Sequence, residues 1–227
     1  MSCFQLDPSS IVERVKASGA PAKIPSLGES LLRGILGFTV VSVAGFAPWA
    51  LAGPLLQRGI GEAGMYAACA LTFIGLSGLL LHRLIIGPGS LPRFYKLFSL
   101  TFALYSVAWI AGWMGLHGHR GSLVGLFAGS ALMGGIIAWA FDERRAAPAT
   151  IAALFVLNTI GYYAGGWVEG KVAKLPNLSL AGLVVEKPAP LTIAMLLWGV
   201  CYGIGLGAGL GLAFHVCQAG VRRRLSS

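Results

Sequence analysis

Residues 191–218, LTIAMLLWGVCYGIGLGAGLGLAFHVCQ, decide how this chain is read, because the stretch contains no Asp, Glu, Lys or Arg. A hydrocarbon core about 30 Å thick needs roughly 20 apolar helical residues to cross it, and this stretch is longer than that. Five stretches of the same kind precede it, at residues 31–53, 63–86, 96–116, 121–141 and 149–167. The sequence therefore predicts an all-α fold, a polytopic membrane bundle of six transmembrane helices.

Composition agrees. Of 227 residues, 56% are hydrophobic and 11% charged, and mean hydropathy is +0.76, outside the range of a soluble domain. The expected organisation is a single unit: an amino-terminal segment over 1–30, the membrane domain over 31–218 and a basic tail over 219–227. The net charge of +9 sits in loops and tails. There it orients the chain and meets anionic headgroups, so nucleic acid is not an expected partner.

Counting Lys and Arg loop by loop places twelve of the 17 on one side, including Arg14, Arg33, Arg83, Arg93, Arg144 and Arg222. The other side holds Arg58, Arg120, Lys171, Lys174 and Lys187. The positive-inside rule then predicts a cytoplasmic (inner) membrane protein with both termini in the cytoplasm. Residues 1–30 lack the apolar core of a cleavable signal. Within them, Asp7-Pro8-Ser9-Ser10 reads as a capped helix start with Ser10 and Glu13 as a capping box. The Ile11, Val12 and Val15 face of that helix is expected on the membrane surface. Residues 19–26 read as a flexible connection.

Four cysteines, Cys3, Cys69, Cys201 and Cys217, sit in spans or near the cytoplasmic side, and are read as packing residues. Glycine carries more information. Gly203, Gly207 and Gly211 recur every four residues in the sixth span, and Gly121, Gly125 and Gly129 do so in the fourth. Such spacing makes a groove in which another backbone lies close, so these two spans are expected at the centre of the bundle. The two halves also align weakly as a 3+3 inverted repeat. Arg33-Gly34 parallels Arg120-Gly121, and Tyr105 and Gly112 parallel Tyr202 and Gly209.

No ionisable residue falls near the expected midplane. What remains is one uncharged polar side chain per span: Ser42, Thr72, Tyr105, Ser130, Asn158 and Tyr202. These are the candidate solute path, with Asn158 the most costly to leave unpaired. The plainer alternative is that Ser and Thr bond their own helix carbonyls, while Asn158 and the tyrosines tie helices together. His82 and His215, near the cytoplasmic ends of the second and sixth spans, are the axial pair that a haem would use. His117-Gly118-His119 lacks a third ligand nearby, so no metal site is read there.

No intact catalytic motif is present. Ser130 and His215 do not form a nucleophile and base, because Ser130 lies roughly 14 Å below the outer surface and His215 much deeper. Pro48 is expected to kink the first span. The long loop over 168–190 includes an apolar run at 178–185, expected in the interface, and Trp49, Trp113, Tyr162, Tyr163 and Trp167 fit an outer aromatic belt. The expected function is a small-solute carrier or channel. The alternatives are a non-catalytic subunit or scaffold, as a homo-oligomer or with a membrane-complex partner, and a haem-binding redox subunit.

Overall fold

The computed structural model describes residues 4–19, 23–175, 177–180, 183–186 and 189–226. Among them are six helices long and apolar enough to cross a membrane, matching the six stretches read from the sequence. The first begins at Ser26. Its side chain accepts the Glu29 amide while the Glu29 carboxylate accepts the Ser26 amide, a complete capping box.

From there α2, Leu27–Glu62, runs well past the expected limit at residue 53. Pro48 and Pro54 lie inside it, and its non-helical dihedrals fall at Gly61, where φ is 73° and ψ is 173°. Only glycine adopts that conformation cheaply, so the turn between the first two spans is placed by Gly61. The returning helix α3, Gly64–Leu84, lies antiparallel to α2. Phe73 fits over Gly45, Leu81 over Gly37, and an Arg33 Nη donates to the Arg83 carbonyl at 3.1 Å.

The remaining spans are α4 (Ser90–Leu116), α5 (Gly118–Ala140), α6 (Ala147–Val172) and α7 (Ala189–Cys217). Each packs against the next, and α7 closes on α2, so the six helices form a ring in chain order. Half of the most apolar window of α5 and of α7 is buried, against a third or less for the others. Large apolar side chains such as Leu36, Leu71, Val107, Phe127, Ile160 and Ile204 point outward from every span, which a bilayer accommodates and water does not.

Both termini lie at one end of the ring, where helix α1 (Pro8–Ala17) meets helix α8 (Ala219–Ser226). The Gly220 amide donates to Glu143 Oε1 at 2.9 Å. The start of α1 corrects the expected capping box: Asp7 is the cap, taking the Ser10 amide at 3.0 Å and the Ser10 hydroxyl at 2.7 Å. Burial pushes the Asp7 carboxyl up, but the bonds from Ser9 and Ser10 outweigh it and hold it at about 2. Ile11 and Val15 are likewise not on a membrane surface; both are buried against the protein, with Val15 over Gly87 in the α3–α4 turn.

The apolar run expected in the interface forms an antiparallel hairpin, β1 (Asn177–Leu180) with β2 (Leu183–Glu186), in the register Asn177 to Glu186. Cys3, Lys187 and part of the 19–26 connection lie outside the described residues.

A candidate polar site at the centre of the ring

Helix α7 works as a two-sided contact because a helix turns 100° per residue, so glycines two apart face nearly opposite ways. Gly203, Gly207 and Gly211 face α2: a Cβ on Gly203 would lie 2.6 Å from Thr39 Cα, one on Gly207 would strike the Gly34 carbonyl, and one on Gly211 would lie 2.5 Å from the Ser30 carbonyl oxygen. Gly205 faces α6, where a Cβ would sit 2.5 Å from the Leu157 carbonyl oxygen and 2.8 Å from Gly161 Cα. Across the ring, Gly121 and Gly125 lie on Gly112 and Trp109 of α4, and Gly129 lies on the Tyr105 ring. Where apolar burial gives no preference for helix contact over lipid, such backbone approach is a principal source of association.

Close approach brings three of the six polar candidates together. The Asn158 amide on α6 donates to the Tyr105 hydroxyl on α4 at 2.7 Å, and the Tyr202 hydroxyl on α7 reaches the same oxygen at 3.4 Å. Asn158 is fully buried, and its carbonyl oxygen has no partner among the described residues. Turning the amide over would pair that carbonyl with the Tyr105 proton and strand the amino end instead, because one hydroxyl offers one proton. Either way the cluster presents an unmet polar group at the middle of the bundle.

The other three candidates fall differently. Ser42 lies against Gly203, and a Cβ there would be 3.0 Å from its own; its hydroxyl, like that of Ser130, is buried without a partner among the described residues. Thr72 is not part of the cluster, since its hydroxyl donates to the Ala68 carbonyl of its own helix at 2.8 Å.

Aromatic rings enclose the site from both ends. Toward the termini, Phe102, Phe98 and Phe94 continue down α4 from Tyr105 as a ladder, with centroids 5.2–6.2 Å apart, and Phe94 stacks on Phe214 at 5.7 Å. Toward the far end, Trp198 lies flat on Tyr202 at 5.4 Å and meets Phe46 and Tyr162 edge-on. The four-residue spacing of Phe94, Phe98 and Phe102 is visible in the sequence and was not read there as a unit. Tyr162, expected in the aromatic belt, turns partly inward, with its hydroxyl 3.2 Å from that of Ser122, whereas Trp113 and Trp167 stay exposed.

The histidines sit elsewhere. His82 Nδ1 is 2.9 Å from the Ser90 hydroxyl and His215 Nδ1 is 3.5 Å from that of Ser30, so each uses one ring nitrogen within the protein. His119 packs on Tyr163, and no group of three metal-ligating side chains occurs among the described residues. Cys217 is buried beside the Thr150 hydroxyl at 3.3 Å.

Sequence reading also missed Gln218. It is buried just after α7, takes the Ile86 amide at 2.8 Å, and donates to the Leu84 and Phe214 carbonyls at 2.8 and 2.9 Å. It thereby ties the α3–α4 turn to the last span. A lone Gln next to a basic tail gives no advance signal of this.

The ring of six apolar helices defines a multi-pass integral membrane protein. Comparison with family models, with curated proteins and with solved structures finds no match to this chain.

Proposed function

We propose that this protein is a small-solute carrier or gated channel, with its solute site at Tyr105, Asn158 and Tyr202. The observation that carries the reading is the unmet polar end of Asn158, buried where α4, α6 and α7 meet and where leaving such a group unpaired is costly. No Asp, Glu, Lys or Arg belongs to the cluster, so the favoured solute is small, polar and uncharged. The aromatic layers on both sides correspond to closed gates, which implies that solute passage requires ring movement.

The proposed inverted repeat gains one support: Tyr105 and Tyr202, equivalent in the alignment of the halves, meet at the centre, as residues related by a two-fold axis between the halves do in many carriers. The glycines do not follow the same register, since Gly112 of α4 lies on Gly121 and Gly125 of α5, whereas its equivalent Gly209 lies on Leu154 of α6. The end bearing the termini also bears Arg83, Arg93, Arg144 and Arg222, which favours a cytoplasmic position for that end in an inner membrane, facing anionic headgroups.

A second reading rests on the aromatic ladder itself, which fills the axis of the ring as a structural core does. On that reading the chain is a scaffold that holds other membrane subunits. Flux across reconstituted vesicles separates the two: Asn158→Leu abolishes flux in a carrier and leaves a scaffold's partner recovery unchanged.

A further inference from the structure

At the end bearing the termini, α1 crosses the seam between the two halves of the bundle, α2–α4 and α5–α7. On the first half, a Cβ at Gly87 in the α3–α4 turn would lie 2.9 Å from Val15 Cγ2 and 3.8 Å from Ile11 Cγ2. On the second half, Phe4 meets Trp139 of α5 edge-on at 6.0 Å, and Pro8 Cγ would lie 3.2 Å from a Cβ on Gly220. Phe4, Leu6, Ile11 and Val15 are all buried.

These two attachments differ. The first closes apolar side chains over a turn, whereas the second runs beside an open cleft of about 900 Å³ between α1, the α5–α6 turn and α8, walled in part by Asp7, Glu13, Asp142 and Arg144. The side chains of Asp7, Ser9, Ser10 and Arg14 bond within residues 5–14, so apolar contact is what holds the helix down. A ten-residue helix is too short to persist alone in water. It folds where it docks and unravels where it leaves.

Below α1, Gln218 locks the same seam. It takes the Ile86 amide and donates to the Leu84 carbonyl, joining the end of α7 to the α3–α4 turn. Val15 packs on Gly87, the residue next to Ile86. Such bonds hold best where water is kept out, because water competes for each partner.

We infer that α1 is a detachable strap: docked, it spans the seam and keeps water from the Gln218 lock, and released, it lets the end bearing the termini open. Its effect on flux rests on the solute reading; its detachment does not.

The test compares the full chain with two variants. Val15→Asp sets a carboxylate in an apolar contact and releases α1, and Pro8→Cys with Gly220→Cys, in a chain whose four native cysteines are replaced by serine, pins it through a disulfide. Hydrogen exchange read by mass spectrometry reports the helix itself. In wild type the α1 amides should exchange at least about tenfold faster than those of α7, and the disulfide should slow them until it is reduced. In proteoliposomes Val15→Asp should raise solute entry at least about threefold, and the disulfide should lower it reversibly. A helix that merely completes the fold gives no such gain. If Val15→Asp does not fold, the oxidised and reduced states of the double-cysteine variant decide the matter. Protection of α1 equal to that of α7, exchange that ignores the disulfide, or equal flux before and after reduction overturns the strap. Absence of flux in every form, wild type included, instead removes the solute reading, and the exchange rates then decide detachment.

Discussion

Tyr105 accepts hydrogen bonds from two helices at once, from Asn158 at 2.7 Å and from Tyr202 at 3.4 Å, yet leaves one end of the Asn158 amide unmet. The pairing predicts an asymmetry. Tyr105→Phe removes the shared oxygen and strands Asn158 completely, costing about 1–2 kcal/mol. Asn158→Leu removes the unmet group along with the bond and should be close to neutral, as should the double variant. Unfolding in detergent followed by circular dichroism measures all three.

Glycine positions differ in what a methyl group would meet. Gly205→Ala and Gly207→Ala push a Cβ into the backbone of α6 or α2, and each should cost about 1–3 kcal/mol or more. Gly135→Ala meets no atom within 4 Å and should be neutral or stabilise by up to about 1 kcal/mol. A thermal unfolding series over these three variants checks the order.

Gln218 makes three buried bonds, two across to Leu84 and Ile86 at the α3–α4 turn and one back to Phe214 of α7. Gln218→Ala should lower stability by about 2–3 kcal/mol. Gln218→Glu should be worse than the alanine change at neutral pH, since its carboxylate would face the Leu84 and Phe214 carbonyls that now receive protons. Limited proteolysis of the α3–α4 turn and unfolding midpoints test the ranking.

The cap of α1 has a defined pH response. Asp7 titrates at about 2 in the folded protein against 3.8 ordinarily, so its contribution is complete above about pH 4 and is lost as pH falls toward 2. Phe4 contacts Trp139 edge-on at 6.0 Å, which makes indole emission a reporter of α1 docking. Asp7→Asn keeps a capping side chain without the titration. The stability advantage of the wild type over the variant should therefore shrink on acidification from pH 4 to pH 2.

Hydrophobic length made the six spans legible, because a bilayer imposes one demand on every crossing. Glycine spacing pointed to α5 and α7, and the structure shows them to be the most buried spans. Helix ends were less legible: α2 continues through Pro48 and Pro54 because dihedrals, not residue identity alone, decide where a helix stops. The polar layer was readable as a depth but not as a site. Tyr105, Asn158 and Tyr202 share a level with Thr72, and only helix rotation distinguishes the three that meet from the one that bonds its own helix. Gln218 gave no pattern, since its role arises from a chain segment more than 130 residues away.

The most direct test of the solute site is stopped-flow light scattering from proteoliposomes challenged with uncharged polar solutes such as urea and glycerol. Wild-type vesicles should admit at least one of them faster than protein-free vesicles, and Asn158→Leu, with an unchanged unfolding midpoint, should return that rate to the protein-free value. Equal rates with and without protein across the panel, or undiminished flux in Asn158→Leu, would contradict the assignment.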